Sequence, residues 1–183
     1  MANVIFDLSG KVAIVTGGNG GIGLGISRGL AEAGADIVVA ARDKGKTEDA
    51  VSLLRGLGSN AVGVATDVAD EASVAAMVKE TLERLGRVDI LVNNAGGSIR
   101  KPPQDYSADE WDQVVDVNLK GTFLCSRAVY PHMAQLGGGK IINIGSMTSI
   151  FGSDWVAAYA ASKGGVVQLT KSLAIAWAKD NIR

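Results

Sequence analysis

Five short β-branched runs, separated by longer amphipathic stretches, constrain this chain more than any other feature. "KVAIVT" (Lys11 to Thr16), "DIVVAA" (Asp36 to Ala41), "AVGVAT" (Ala61 to Thr66), "VDILVN" (Val88 to Asn93) and "KIINIG" (Lys140 to Gly145) are nearly continuous apolar segments. Such runs suit parallel strands covered on both faces. The stretches between them carry a helical period. Ile22, Ile26, Leu30 and Ala33 recur on one side of a helix that Gly34 would stop, and Val74, Val78, Leu82 and Leu85 do the same before Gly86. "SADE" is a capping box, with Ser107 as N-cap and Glu110 at N3, opening a long helical region towards Leu136. A last helix is expected from about Val156 to Lys179. Strand and helix in strict alternation predict an α/β fold, a doubly wound, Rossmann-like parallel sheet of five strands, with residues 1–183 as one domain.

Composition narrows the function classes. With 47% hydrophobic and 20% charged residues the chain is globular. A net charge of −1 gives no electrostatic reason to expect nucleic acid or an anionic membrane as partner. One cysteine, Cys125, excludes an internal disulfide, and one histidine, His132, leaves no histidine cluster for a metal. Both are expected only to pack. No apolar stretch approaches a membrane span, so a cytoplasmic protein is expected.

Two local patterns carry chemistry. "TGGNGGIG" (Thr16 to Gly23) joins the first strand to the first helix. Glycines there allow a tight turn and let a pyrophosphate approach the free amides of the helix N-terminus. Gly18, Gly20 and Gly23 satisfy G-x-G-x-x-G, which gains meaning from its strand-to-helix position. The second pattern is "AAYAASKGG", residues 157 to 165. Tyr159 and Lys163 stand at i and i+4, on one helix face, and a cation beside a phenol lowers its pKa from about 10. The same residues also suit a helix packed closely through small side chains.

The glycine turn also reads T-G-x-x-x-G-x-G, through Thr16, Gly17, Gly21 and Gly23. "NNAG" follows the fourth strand at Asn93 to Gly96, "DVNLKG" spans Asp116 to Gly121, "IGS" ends at Ser146, and Tyr159 with Lys163 forms Y-x-x-x-K. In order and spacing these motifs resemble the short-chain dehydrogenase/reductase family. The resemblance implies a nicotinamide-dependent oxidoreductase acting on a secondary alcohol or ketone. It makes Tyr159 the general acid/base, Lys163 the residue that lowers its pKa and holds the nicotinamide ribose, Ser146 the support of the substrate oxygen, and Asn118 the support of a proton-relaying water. It assigns the cofactor to Gly17, Asn19, Gly21, Ile22, Gly23, Arg42, Asp67, Val68, Asn94, Ala95 and Gly96, besides Tyr159 and Lys163, and leaves Asn93 to pin strands. NADP(H) is favoured over NAD(H), because the slot ending the second strand holds Ala41 followed by Arg42. Asp43 is the rival on the ribose, and Gly20 lacks a second basic side chain.

"GGSIRKPPQDYSADEWDQVVDVN", "KIINIGSMTS" and "AWAKDNIR" are similar to the gluconate 5-dehydrogenase and deoxygluconate dehydrogenase branch. Arg100 and Lys101 would then be able to meet a sugar-acid carboxylate, or else form a solvated basic loop, with Trp155 as a wall of the site or a packing residue. A 3-oxoacyl-carrier-protein reductase carries the same catalytic set, and a dinucleotide-binding subunit without turnover is the reading from another class. Homodimers or homotetramers through the two long helices are expected. Relatives continue beyond "NIR" with further strands and a substrate lid. A chain of this length is therefore expected to be a fragment, with "KIINIG" left as a sheet edge and the face of Leu169, Leu173 and Trp177 partly uncovered.

Overall fold

The computed structural model describes residues 6–183. Five strands, β1 (Val12–Thr16), β2 (Asp36–Ala41), β3 (Val62–Ala65), β4 (Ile90–Asn93) and β5 (Lys140–Asn143), form one sheet in the order β3-β2-β1-β4-β5. Every pairing is parallel. The helices are α1 (Gly21–Glu32), α2 (Lys44–Gly56), α3 (Glu71–Leu85), α4 (Ala108–Val115), α5 (Gly121–Gln135) and α6 (Ala157–Trp177). The chain winds outward from β1 to β3, then returns to the other side of β1 as β4. That reversal opens a crevice at the carboxyl ends of β1 and β4, where ligands bind in sheets of this kind.

Alternation along the strands divides the core. Val12 and Ile14 of β1 join a cluster with Val74, Val78, Leu124 and Val129 of α3 and α5, whereas Ala13 and Val15 join Ala31 of α1 and Ala50, Val51 and Leu54 of α2. β1, β2 and β4 are covered on both faces, as their continuous apolar runs predict. β5 departs from that expectation. Its Lys140 and Ile142 are exposed, Ile142 by 46%. No helix among the described residues packs on that side. The outer edge of β5 is not bare, since Ile141 donates its amide to the Arg183 carbonyl and Gly139 bridges Ile182 in parallel.

Local signals set the helix ends. Ser107 and Glu110 form the predicted capping box, and Gly86 closes α3 in the left-handed conformation, φ 77°. Helix α1 follows its predicted stripe only in part: Ile26 and Leu30 pack against the core, partly buried. Its most buried residues are Gly23, Ser27 and Ala31, one position along from Ile22, Ile26 and Leu30, and Ile22 is 70% exposed. Small side chains bring this helix close to the sheet, so the bulkier ones are pushed to its flanks.

At the opposite end of the sheet, Asp89 ties β1 to β4. Its carboxylate accepts from the Val12 amide at 3.0 Å, from Arg87 at 2.6 and 2.7 Å, and from Lys11 at 3.3 Å. Burial would raise this carboxyl, but the hydrogen bonds from Arg87 and Val12, with the charge of Arg87 and the bond from Lys11, outweigh it and hold the pKa below the ordinary range. A depressed folded pKa adds stability that is complete above the unfolded value of about 3.9 and is lost as pH falls through the folded one. Asp89→Asn is expected to cost about 2 kcal/mol at neutral pH and to flatten the acid limb of the stability curve. Urea titrations from pH 2 to 7 check both; an unchanged midpoint at pH 7 would remove Asp89 from the fold's supports.

Candidate active site

The crevice is built on one threonine. Thr16 Oγ1 donates to the Val92 carbonyl at 3.2 Å and accepts the amides of Asn94 and Ala95, each at 3.0 Å. Asn94 Nδ2 donates to the carbonyls of Thr16 at 2.9 Å and Gly17 at 3.3 Å. The ends of β1 and β4 are thereby locked, with the Asn94 side chain bonded to the glycine turn. Gly17 lies at φ 63° and Gly21 at φ 50°, in the region that favours glycine. A side chain at Gly23 would collide with the Gly17 carbonyl, so this glycine lets α1 start directly behind the turn. No side chain caps α1, which leaves its first amides available to an anion.

Beside this turn lies a cleft of about 530 Å³. Gly17, Asn19, Arg42, Asp67, Val68, Ala95 and Gly96 line it. Lys46 and Val117 also line it, and the sequence reading placed neither there. Lys46 was legible only as a cation in the first turn of α2, where the helix dipole disfavours it. Asp43 is the N-cap of α2, accepting the Lys46 amide at 3.1 Å. Asn19 Nδ2 reaches across to Thr47 Oγ1 at 3.1 Å and the Asp43 carbonyl at 3.3 Å, joining the glycine turn to the start of α2.

Tyr159 and Lys163 stand one turn apart on α6. Lys163 is only 4% exposed; its ammonium donates to the Ile144 carbonyl at 2.6 Å and lies 5.7 Å from the Tyr159 ring centroid. Burial pushes the Lys163 pKa down. Ser146, just beyond β5, caps a 3-10 turn over Met147–Ser149 that packs on α6. Asn118 sits in a π-helical turn, Asp116–Lys120, between α4 and α5. Such widened turns occur frequently at functional sites. Its side chain exchanges two hydrogen bonds with the Gly97 backbone, both 2.9 Å, and donates to Ser162 Oγ at 3.0 Å. It therefore staples the loop after β4 to α6 at Ser162, the residue before Lys163. Asn93 joins β4 to β5 and α5 through Asn143 at 2.9 Å and Ser126 at 3.0 Å, as expected.

The mouth of the site departs from expectation in one place. Lys101 is paired with both carboxylate oxygens of Glu110, at 2.6 and 2.7 Å, so its charge is already neutralised. Arg100 is exposed. The Lys101 amide donates to the Trp155 carbonyl at 3.0 Å, which latches the two mouth loops together. Met147, Ile150, Phe151 and Trp155 expose apolar surface beside them. Cys125 is fully buried, its pKa raised to about 12 by burial, and takes no part.

The described residues hold no cluster of metal-ligating side chains, and none of their helices is long and apolar enough to cross a membrane. The site fits a dinucleotide: glycines leave room at the turn, uncapped amides face it, and Arg42 and Lys46 add positive charge. Residues 11–183 match the family model described as short chain dehydrogenase. The chain is 43% identical over 174 residues to the 2-dehydro-3-deoxy-D-gluconate 5-dehydrogenase of Pseudoalteromonas atlantica, covering 94% of this chain and 68% of that protein. A gluconate 5-dehydrogenase from Burkholderia cenocepacia J2315, solved with NADP and tartrate, superposes with TM-score 0.92 at 43% identity, covering 97% of this chain and 70% of that one. An NAD+-bound xylitol dehydrogenase superposes with TM-score 0.94 at 36% identity, covering 96% and 68%. On its motifs, its fold and these likenesses, the chain is an oxidoreductase that belongs to the short-chain dehydrogenase family.

Proposed function

We propose that this chain interconverts a secondary alcohol and a ketone on a sugar acid or polyol, of the gluconate/5-ketogluconate kind, with NADP(H) favoured over NAD(H). The observation that carries the reaction type is the buried Lys163 beside Tyr159, in a fold whose glycine turn and cleft suit a dinucleotide. A bound nicotinamide dinucleotide supplies the hydride acceptor in one direction and the donor in the other. Tyr159 Oη takes the alcohol proton as the carbon is oxidised and returns it in reduction. Lys163, held by the Ile144 carbonyl, favours the phenolate and meets the ribose. Ser146 Oγ donates to the substrate oxygen, and Asn118 keeps the loop after β4 seated on α6, beside a relaying water. Gly17, Gly21, Ile22 and Gly23 receive the pyrophosphate, while Asp67, Val68, Ala95 and Gly96 receive the adenosine half.

The substrate class is supported by the likeness to gluconate dehydrogenases and by exposed Arg100, a bidentate partner for a carboxylate. Apolar Met147, Ile150 and Phe151 at the mouth favour a second reading, an acyl-thioester reductase. Comparing kcat/KM for 5-keto-D-gluconate and an acetoacetyl thioester, each with NADPH and NADH, separates the two. The exposed faces of α5 and α6, with Phe123 and Ile175, support assembly of copies through these helices.

Arg42 and Lys46 at one cleft support the NADP(H) preference. Arg42→Ala is expected to lower kcat/KM for NADPH by about 10- to 100-fold, the size of a lost charge-assisted hydrogen bond, with NADH changing far less. Equal losses with the two cofactors would place the 2′-phosphate elsewhere.

A further inference from the structure

We propose that Thr148 is a positioning residue for the reaction, one that leaves the Ser146 hydroxyl free only to donate. The proposal rests on the reading of Ser146 as the group facing the reacting oxygen. Ser146 has extended backbone, φ −154° and ψ 163°, and its own amide donates to Ser149 Oγ at 3.1 Å. Its Oγ lies 3.2 Å from the Thr148 amide, which donates to it, and 2.9 Å from Thr148 Oγ1.

A hydroxyl offers one hydrogen and two lone pairs. The Thr148 amide takes one lone pair outright. The bond between the hydroxyls can run either way, and the substrate decides which. A ketone or alkoxide oxygen only accepts, so it needs the Ser146 proton. Thr148 Oγ1 must then be the donor to Ser146, because that orientation gives every hydrogen an acceptor. Donors aligned in series, Thr148 to Ser146 to substrate, polarise one another and strengthen the last bond. Thr148 thus acts through Ser146 without touching the reacting atoms. Were the contact merely a turn cap, the Thr148 amide would suffice and the hydroxyl would be dispensable.

The test compares Thr148→Val, Thr148→Ser and Ser146→Ala in the full chain, with NADPH and 5-keto-D-gluconate. Valine removes the hydroxyl but keeps the shape and the amide; serine restores the hydroxyl. Thr148→Val is expected to lower kcat about five- to tenfold, the size of one hydrogen bond, with KM for NADPH and the position of the pH profile unchanged. Calorimetry should show a fall of similar size in the affinity of the NADP-loaded protein for 5-keto-D-gluconate. Thr148→Ser is expected to return within about twofold of wild type on the same scale. Wild-type kcat in Thr148→Val overturns the proposal, as does a serine variant as impaired as the valine one. Loss of NADPH affinity in Thr148→Val also overturns it, since the residue is then structural. Full turnover by Ser146→Ala would sink the reading of Ser146 itself, whereas an inactive Ser146→Ala beside a fully active Thr148→Val sinks only the role of Thr148.

Discussion

Tyr159→Phe is expected to lower turnover about a thousandfold while leaving dinucleotide affinity nearly unchanged, because on the proposed mechanism it deletes the one oxygen that moves a proton and leaves the ring in place. The aromatic ring remains to pack beside Lys163, whose Nζ lies 5.7 Å from its centroid. Lys163→Ala is expected to behave differently. It removes a buried cation that donates to the Ile144 carbonyl, so both turnover and affinity should fall. Fluorescence titration with NADPH, alongside single-turnover rates, separates the two variants. Wild-type affinity in Lys163→Ala would refute its double role, and residual turnover within tenfold of wild type in Tyr159→Phe would require another proton donor.

Gly23→Ala is expected to weaken dinucleotide binding by about 100-fold and to destabilise the fold by about 1 to 3 kcal/mol, the usual range for overpacking. The added Cβ would stand 2.5 Å from Asn94 Nδ2 and closer still to the Gly17 carbonyl oxygen. Neither neighbour can yield cheaply. Gly17 donates its amide to the Ala40 carbonyl at 2.8 Å, and Asn94 is held by its bonds to Thr16 and Gly17. The helix must therefore shift away from the turn that its amides serve. Gly25 and Gly29 lie in the same helix with open space where a Cβ would go. Alanine at either is expected to stabilise by about 0.5 to 1 kcal/mol and to leave binding alone. Thermal melts and NADPH titrations of the three variants form an internal comparison. Equal behaviour of Gly23→Ala and Gly25→Ala would mean that α1 does not sit as described.

The strands, the capping box at Ser107 and the glycine turn were legible because each is written in neighbouring residues. Period-two and period-3.6 patterns, a serine three residues before a glutamate, and glycines between a strand and a helix act over a few positions of chain. Tyr159 and Lys163 share a helix face for the same local reason. What lies against a given face is decided by residues far away in the chain, and there the sequence alone misled or was silent. The stripe on α1 read Ile22, Ile26, Leu30 and Ala33; Ile26 and Leu30 do pack against the core, but the most buried positions are Gly23, Ser27 and Ala31, and Ile22 is exposed. β5 reads as a strand covered on both faces, but burial needs a helix on each side and only one face has it. Lys101 reads either as a cation for a substrate or as part of a solvated loop; only the fold sets Glu110 against it. Asn118 meets Gly97 from 21 residues along the chain and Ser162 from 44, and Lys46 reaches the cleft only because α2 starts beside the glycine turn. Residue types and spacing thus determined the fold class and brought forward the proposed reacting groups, since both rest on local chemistry. Which charges stay free, and which polar side chains hold the others in place, was decided by tertiary packing, because a hydrogen bond or ion pair requires two atoms within about 3 Å whatever their separation in sequence.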